Sequence, residues 1–266
     1  LKAGTITPDQ VVPVSTKAWR MEGSRMFIEP NKPVTVDELI RGVIVQSGND
    51  ACVALAETIA GSEEAFAALM NREAQRLGMV NTNFTNSTGL PDPQLYTSAN
   101  DLARLAAAIV RDFPEYYSLY SLKEFTYNNI KQPNRNRLLY MDPTVDGMKT
   151  GHTSSAGYCL VSTAQRGERR LISVVLGAAS DTVRAQESLK LLNFGFQFYE
   201  TVKLYAADQA LAQFRVWKGQ INELPVGFTS DFVMSLPKAT AHKTQVTLAN
   251  RHPLVAPIEK GQEAGT

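Results

Sequence analysis

The chain has 266 residues, with 27 Lys and Arg against 26 Asp and Glu, which gives a formal net charge of +1. This balance argues against nucleic acid or another highly charged polymer as the main partner. Hydrophobic residues make up 44% and charged residues 20%, which excludes a disordered or fibrous chain. No apolar stretch approaches the roughly 20 residues of a membrane-spanning helix. The composition predicts a water-soluble globular protein with one large or two smaller domains.

Helical spacing of apolar residues predominates from Thr35 to about Val110. Thr35 and Glu38 form a T-x-x-E capping box in front of the first helix. The sequence Ser-Gly-Asn-Asp at 47–50 then predicts a break. Apolar spacing and terminal residues predict three more helices: 51–60 before Gly61, a helix between Ser62 and Gly78, and a helix capped by Ser98 and Asp101.

The middle of the chain predicts strands. Segments 124–130, 157–165 and 169–178 have strand patterns, and a turn at Arg166 and Gly167 joins the last two as a hairpin. Helical spacing returns over 181–198. Helices followed by antiparallel strands and another helix predict an α+β fold rather than a parallel βαβ array.

The last part of the chain has a different character. Short segments at 213–217, 232–236 and 244–248 are rich in Val, Phe and Thr, and they are separated by Gly, Pro, Asn and Asp. This pattern predicts a small all-β domain over 201–266, which follows a larger domain over 1–200.

Cysteine and histidine are too sparse to predict a disulfide framework or a metal site. We expect Cys52 and Cys159 to be buried free thiols, and a single bridge between them is the alternative. His152, His242 and His252 lie far apart in the sequence and show no metal-ligand spacing. Neither glycine-rich nucleotide-binding motif occurs, so the sequence predicts no metal and no cofactor.

Two short motifs suggest catalytic chemistry. Ser47 and Asn49 form an S-x-N motif in the predicted helix break, and Lys149, Thr150 and Gly151 form a K-T-G motif at the start of the predicted strand pair. Each motif alone has an ordinary structural interpretation. The first resembles a pair of helix caps, and the second resembles a solvated lysine in front of a turn.

The two motifs together fit acyl transfer by an active serine. Such a reaction needs a hydroxyl or amine that moves a proton near the leaving group, and it needs a cation that anchors the substrate carboxylate. A Ser–Asn pair can supply the first, and a Lys-Thr-Gly strand can supply the second while leaving room for the substrate backbone. S-x-x-K, S-D-N and K-T-G are the motifs of class A β-lactamases and penicillin-binding proteins.

Six segments spread along the chain carry a closer resemblance. They are Leu-Ile-Arg-Gly at 39–42, Gln-Ser-Gly-Asn-Asp-Ala-Cys-Val-Ala at 46–54, Asn-Arg-Asn at 134–136, Val-Asp-Gly-Met-Lys-Thr-Gly-His-Thr at 145–153, Ala-Gly-Tyr at 156–158 and Leu-Leu-Asn-Phe-Gly-Phe at 191–196. With them the chain resembles low-molecular-mass penicillin-binding proteins, and more narrowly the D-alanyl-D-alanine carboxypeptidases of the penicillin-binding protein 5/6 type. The resemblance runs through essentially the whole chain, including the β-rich tail.

The resemblance implies both a fold and a function. The fold is that of the penicillin-binding and serine β-lactamase-like transpeptidases, a helix cluster against an antiparallel sheet, with a small C-terminal all-β domain. The function is removal of the terminal D-Ala from peptidoglycan stem pentapeptides through an acyl-enzyme, with β-lactams as covalent inhibitors. The implied location is the periplasm, peripheral on the inner membrane through a C-terminal anchor outside these 266 residues.

The resemblance also implies roles for individual residues. Ser47 would pass a proton to or from the leaving amine or the incoming water, and Asn49 would hold the substrate amide. Lys149 would stabilise the site and bind substrate. Five further residues would lie beside the substrate or its terminal carboxylate, namely Thr150, Gly151, His152, Arg135 and Arg184. For His152, an exposed strand histidine is the alternative interpretation.

One motif of the family is missing from its expected place. No S-x-x-K precedes Ser47, since Ser15 and Lys17 are separated by a single residue. The S-x-x-K at 235–238 lies in the β-rich tail, and Pro237 would break a helix there, so we reject it as the nucleophile. We expect the chain to be a fragment that begins just after the nucleophile helix, ends before the membrane anchor, and is inactive alone.

Two other functions remain open at this point. A class A β-lactamase also carries K-T-G, but no convincing deacylating glutamate lies between the two motifs and the β-rich tail would be unexplained. A non-catalytic wall-binding paralogue would keep the scaffold and lack the serine. The sequence immediately upstream of Leu1 separates this paralogue from the enzyme.

Overall fold

A computed structural model describes residues 1–240, 243–244, 246–249 and 253–265. The chain packs into two compact units, Leu1–Asn193 and Phe194–Thr266. Helices and three small sheets form the first unit, and the second unit contains five short strands.

The α-helices follow in chain order as α1 (Thr16–Trp19), α2 (Val36–Arg41), α3 (Asn49–Ala60), α4 (Glu63–Arg76), α5 (Ala99–Asp112), α6 (Pro114–Tyr117), α7 (Leu138–Met141) and α8 (Asp181–Phe198). A turn of π-helix, Gly42–Gln46, continues α2, and a 3₁₀ turn, Ser118–Ser121, follows α6. The strands of the first unit pair as β1 (Val11–Val12) with β2 (Val34–Thr35), β3 (Glu124–Tyr127) with β4 (Ile130–Pro133), and β5 (Val145–Thr153) with β6 (Gly157–Arg166) and β7 (Arg169–Ala178). All of these pairs are antiparallel.

The predicted helix ends are confirmed where a cap marks them. Thr35 and Glu38 form the reciprocal capping box at the start of α2. Gly61 ends α3 with φ 80°, a left-handed conformation that glycine adopts without strain. The hydroxyls of Ser62 and Ser98 accept backbone N–H groups at the starts of α4 and α5. The helix predicted over 51–60 begins two residues earlier, at the end of the predicted break.

Asp101 does not cap α5 with its side chain. Its carboxylate is 1% exposed. It accepts hydrogen bonds from the Asn81 backbone N–H and the Thr82 hydroxyl, both at 2.8 Å. Asp101 therefore ties the segment before the helix to its first turn.

Two of the three predicted strands in the middle of the chain are confirmed as β6 and β7, and the helix predicted over 181–198 is α8. The single strand predicted over 124–130 is confirmed only for 124–127, as β3. Asn128 and Asn129 have φ 50° and 59°, so the chain turns there and forms the β3–β4 hairpin. Asparagine tolerates the left-handed conformation that a two-residue hairpin turn requires.

The K-T-G motif does not lie at the start of the strand pair. It lies within β5, an edge strand whose Lys149 pairs with Val161 of β6 and whose Gly151 pairs with Cys159. Glycines at 147 and 151 and the alternation of polar residues weaken the sequence signal of this strand.

A buried core joins α2 and α3 to the segment before them. Met26, Leu39 and Val53 are all fully buried. A Cβ at Gly42 would overlap the Met26 side chain, so the close approach of the two segments requires glycine. This core holds the helix break at 47–50 in place, and shortening one such side chain typically costs about 2–5 kcal/mol.

The second unit contains β8 (Tyr199–Tyr205), β9 (Ala212–Trp217), β10 (Glu223–Val226), β11 (Phe232–Pro237) and β12 (Leu254–Val255). These form two sheets, β10-β9-β12 and β11-β8. The strands predicted over 213–217 and 232–236 are confirmed as β9 and β11. The strand predicted over 244–248 is wrong for Thr244 and 246–248, while Gln245 lies outside the described residues.

The two cysteines are free thiols, as predicted, but both residues are partly rather than fully buried. Across the ranges that the structure describes, none of the helices has the length and apolar character needed to cross a membrane.

Candidate active site

Ser47 lies at a sharp turn between the π-helical turn and α3. Its backbone is left-handed, with φ 58° and ψ 39°, a conformation that costs a non-glycine residue about 1 kcal/mol or more. A Cβ at Gly48 would lie 2.9 Å from Asp50 Oδ1 and 3.2 Å from the Met26 nitrogen. The turn therefore requires glycine directly after Ser47.

The buried carboxylate of Asp50 holds this turn. It is 1% exposed. Oδ1 accepts the backbone N–H groups of Met26 at 3.0 Å and Ala51 at 2.9 Å, and Oδ2 accepts those of Phe27 at 2.8 Å and Ile28 at 3.2 Å. Hydrogen bonds to an ionised group are stronger than neutral ones, so four of them compensate for burial of the charge.

Asn49 attaches the start of α3 to the segment at 22–24. Its side chain is 8% exposed. Nδ2 donates to the Glu22 carbonyl at 2.7 Å, and the backbone N–H donates to the Ser24 carbonyl at 2.7 Å. One hydrogen of its amide group is therefore already in use within the protein.

Lys149 reaches from β5 to the helix break. Nζ donates to Ser47 Oγ and to the Thr150 carbonyl, the latter at 2.9 Å. The first of these hydrogen bonds joins residues 102 positions apart in the sequence. It places the S-x-N motif and the K-T-G motif in one site.

Burial controls the electrostatics around Lys149. Burial lowers the pKa of Lys149 to about 8; Cys52 opposes this shift, and the positive charges of Arg135 and Arg184 add to it. Burial also raises the pKa of the Cys52 thiol to about 12, so this thiol stays protonated at neutral pH. With its pKa near 8, Lys149 can exchange a proton close to physiological pH.

The K-T-G motif and the following histidine occupy the end of β5. Thr150 is 9% exposed, whereas Gly151 and His152 are exposed. The His152 ring lies 4.0 Å from the ring of Tyr158, centroid to centroid. A Cβ at Gly151 would meet only Cys159 Cβ, at 3.8 Å, so nothing inside the protein requires glycine at this position.

The two predicted arginines lie in different environments. Arg135 is exposed, and its Nη1 donates to Ser24 Oγ at 2.7 Å. Arg184 is 6% exposed. Its Nη1 donates to the Gly151 carbonyl at 3.0 Å, and its Nη2 donates to the Arg135 carbonyl at 3.5 Å. Burial lowers the pKa of the Arg184 guanidinium, although it remains charged at neutral pH.

Neither other Ser–Lys combination forms a comparable pair. The Ser15 hydroxyl caps α1 by accepting the Ala18 N–H, and Lys17 pairs with Glu63 at 2.9 Å. Ser235 lies in β11 of the second unit. Ser235 therefore lies on a strand and not on a helix, which agrees with our rejection of the motif at 235–238 as the nucleophile.

Two residues that hold the strands of the site in place were not predicted. Asn136, 1% exposed, donates from Nδ2 to the Gly147 carbonyl at 3.1 Å and so fixes the start of β5. Asp146 forms a two-point ion pair with Arg170, with both distances 2.7 Å, and accepts the Thr163 hydroxyl at 2.7 Å. The Asn-Arg-Asn segment was a signal for Asn136, but no local pattern indicates that Asp146 contacts Arg170.

No group of three or more His, Cys, Asp or Glu side chains suited to a metal ion occurs within 1–240, 243–244, 246–249 and 253–265. His242 and His252, considered in the sequence as possible ligands, lie outside these ranges.

Comparison with protein families agrees with the motifs. A family model described as D-alanyl-D-alanine carboxypeptidase matches residues 1–180. The chain belongs to the D-alanyl-D-alanine carboxypeptidase family. A second model, described as the C-terminal domain of penicillin-binding protein 5, matches residues 199–266 of this carboxypeptidase-family chain.

Individual members of the D-alanyl-D-alanine carboxypeptidase family are similar over the whole chain. DacC of Escherichia coli K12 is 45% identical over 274 residues, which covers 100% of this chain and 68% of the relative. DacF of Bacillus subtilis 168 is 40% identical over 273 residues, with coverage of 100% and 70%. The solved structure of penicillin-binding protein 5 from Haemophilus influenzae has a TM-score of 0.92 at 45% identity and covers 100% of this chain and 79% of its own. The predicted family and fold class are confirmed.

Proposed function

We propose that this chain supplies the substrate-binding and proton-transfer residues of a serine D-alanyl-D-alanine carboxypeptidase. The enzyme would remove the terminal D-Ala from peptidoglycan stem pentapeptides, and β-lactams would acylate it. The hydrogen bond from Lys149 Nζ to Ser47 Oγ carries the proposal, because it joins the two motifs in one site. The carboxypeptidase names of the relatives support the same substrate class.

The chemical step defines what these residues must do. A serine oxygen forms a bond to the carbonyl carbon of the penultimate D-Ala, and the peptide C–N bond breaks as the leaving nitrogen takes up a proton. Water then attacks the ester carbon, and the serine regains its proton. One group must therefore move a proton beside the leaving nitrogen in the first half-reaction and beside the incoming water in the second.

Ser47 and Lys149 are suited to that proton transfer. Since Ser47 Oγ accepts a hydrogen bond from Lys149, the proton of the hydroxyl is available to a second acceptor. The leaving amine would be that acceptor. Lys149, with its pKa lowered to about 8, can restore the proton without a large energetic cost.

A carboxylate of the substrate would complete the charge balance of the site. Lys149, Arg135 and Arg184 have no ion pair within the part of the chain that the structure describes. The terminal carboxylate of a D-Ala-D-Ala peptide is an anion of the required kind. Thr150 and Gly151 would lie beside it, and the free space above Gly151 would admit the peptide backbone.

Asn49 and His152 would have secondary roles in binding. Because Asn49 Nδ2 already donates to Glu22, its amide oxygen would accept an N–H of the substrate. His152 is exposed at the end of β5 and would border the carboxylate-binding region.

The attacking oxygen is a separate requirement. Ser15 and Ser235 lie in unsuitable places, so we propose that the nucleophile belongs to an S-x-x-K segment outside these 266 residues. A peptidoglycan substrate places the enzyme outside the cytoplasm. We further propose that the enzyme is periplasmic and lies peripherally on the inner membrane through a C-terminal anchor. We place the boundary between its two domains near residue 200.

Penicillin labelling tests the proposal. The 266-residue chain should not be labelled by a fluorescent penicillin, and covalent labelling would contradict the proposed position of the nucleophile. If the reading frame upstream of Leu1 encodes S-x-x-K on a predicted helix, the longer protein should be labelled. There, Lys149→Ala should slow labelling by about 10²–10³-fold.

The control and the alternatives are part of the same experiment. Lys190→Ala changes a lysine on the surface of α8 and should leave the labelling rate unchanged. Equal rates for both variants would remove Lys149 from its role. A start codon or unrelated sequence upstream would favour the wall-binding paralogue, and rapid hydrolysis of penicillin would favour a class A β-lactamase.

A further inference from the structure

Arg184 is a buried cation without an ion pair among the residues that the structure describes. Only 6% of it is exposed. Its recorded hydrogen bonds go to backbone carbonyls, namely Gly151 at 3.0 Å, Cys159 at 3.4 Å and Arg135 at 3.5 Å. A buried charge is costly unless its surroundings compensate for the loss of water. Only the bond to Gly151 has an ordinary length, so the three bonds are modest compensation for a guanidinium with five N–H donors.

The ring of Tyr158 supplies an additional contact. Arg184 Cζ lies 5.5 Å from the centroid of the Tyr158 ring, which is within the range of a cation–π interaction. Burial makes such an interaction stronger than at an exposed site, because water does not compete for the cation.

The same ring also contacts His152. The two ring centroids are 4.0 Å apart with an interplanar angle of 34°. His152 and Tyr158 are direct partners across the β5–β6 ladder, and cross-strand aromatic pairs stabilise the local register. Tyr158 is therefore in contact with both side chains that adjoin Gly151 at this end of β5.

We propose that Tyr158 is a positioning residue for recognition of the substrate carboxylate. Its ring holds the Arg184 guanidinium and the His152 imidazole beside Gly151, so that the carboxylate-binding end of β5 is ordered before substrate arrives. The inference rests on the proposed function for the identity of the substrate. It does not make Tyr158 a catalytic residue, because Tyr158 acts through Arg184 and His152.

Pre-organisation gives the ring its effect on binding. An arginine side chain loses about 1.5–2 kcal/mol of conformational entropy when it is fixed. If Tyr158 fixes Arg184 in the free protein, the substrate does not bear this cost on binding. The effect should therefore be specific to ligands with a free carboxylate.

Three variants test the proposal. Tyr158→Phe keeps the ring, Tyr158→Leu removes it, and Tyr96→Leu is a control at a tyrosine that is 57% exposed. Thermal unfolding establishes that each variant is folded. If Tyr158→Leu is not folded, Tyr158→Met takes its place as the ring-deleted variant.

The first measurement needs no ligand. Solvent exchange of the Arg184 guanidinium N–H groups is followed by ¹⁵N NMR, with the signals assigned from an Arg184→Lys sample. Exchange should be about 3- to 10-fold faster without the ring than in the wild type. The Phe variant and the Tyr96 control should match the wild type, and unchanged exchange in the Leu variant would overturn the proposal.

The second measurement compares an acetylated L-Lys-D-Ala-D-Ala peptide with the same peptide carrying a C-terminal amide. The affinity ratio of acid to amide should fall about 3- to 10-fold in the Leu variant and stay within about twofold in the Phe variant. If Tyr158 had only a structural role, the Leu variant would lose affinity for both peptides by the same factor, and that result would overturn the proposal. If the wild type binds neither peptide, the proposed substrate is wrong, and the exchange rates still decide whether Tyr158 holds Arg184.

Discussion

The two segments that form the candidate site are held in place in different ways. The helix break at 47–50 depends on one buried carboxylate, Asp50, whose backbone donors lie 1 to 24 positions away in the sequence. The strand segment at 149–152 depends on pairing with β6 and on Arg184, which is 33 positions from Gly151. The break is therefore fixed by a buried anion that binds backbone N–H groups, most of them more than 20 positions away. The strand segment is fixed by a sheet ladder to residues 6 to 12 positions away and by one distant arginine.

The two segments also differ in charge. The buried anion of the break is fully hydrogen-bonded, and it contributes stability. The cations around the strand segment lack ion pairs within the described ranges, and burial lowers the pKa of Lys149. Under the proposed function, the buried anion maintains the fold, whereas the cations around the strand segment lower the stability of the protein in exchange for binding an anionic ligand.

The largest stability effect is expected at Asp50. Asp50→Ala would leave four backbone N–H groups without their acceptor, and the free energy of unfolding should fall by about 3 kcal/mol or more. Urea denaturation measures this change. Asp92→Ala, which removes a carboxylate from an exposed turn, should cost much less. A loss below about 1 kcal/mol for Asp50→Ala would mean that the break is not held by its carboxylate.

Lys149→Met should have a smaller effect of the opposite sign. Burial lowers the pKa of Lys149 from its ordinary value of 10.5 to about 8, so between these pH values the unfolded chain binds a proton that the folded chain does not. Wild-type stability should therefore rise with pH above 8, and below 8 the full penalty of the buried charge is present. At pH 7 the variant should be more stable by about 1–3 kcal/mol, after allowance for its lost hydrogen bonds.

Denaturation at several pH values measures the effect of Lys149→Met. The stability difference should shrink as the pH rises from 8 towards 9.5, and Lys190→Met is the matched surface control. A variant that is less stable than the wild type at pH 7 would show that Lys149 belongs with Asp50 as a structural residue.

The smallest effect is expected at Ser24, which contacts both the break and Arg135. Its carbonyl accepts the Asn49 N–H, and its hydroxyl accepts Arg135 Nη1. Ser24→Ala removes only the second contact, so the affinity for an acetylated D-Ala-D-Ala peptide should fall by about 2- to 3-fold. NMR titration measures this, with Ser154→Ala as the control. A change in the midpoint of urea denaturation instead would assign Ser24 to the fold.

Local chemistry explains which elements could be predicted. The ends of α2, α3, α4 and α5 follow from caps within a few residues of each helix end. The β3–β4 hairpin was missed because Asn128 and Asn129 were included in a strand pattern, although asparagine is a good turn residue. Strand β5 was only partly anticipated, because its glycines and polar residues suit a site better than they suit a sheet.

The residues of the site were found in part by motif and in part by resemblance. Ser47, Asn49 and Lys149 belong to motifs that are visible in the sequence, and Arg135 and Arg184 came from the family resemblance alone. Nothing local indicates that Arg184 is buried against Gly151, or that Tyr158 contacts both Arg184 and His152. These contacts join three separate segments of the chain.

The sequence by itself determined the helix ends, the two motifs, the family and the class of reaction, because capping, turn and motif chemistry act over a few residues. The tertiary structure alone decided that Lys149 meets Ser47 across 102 positions, and that its pKa falls to about 8. A pKa depends on how much water the surrounding structure removes and on which charges it brings near. Neither quantity exists until the sheet and the helices have packed together.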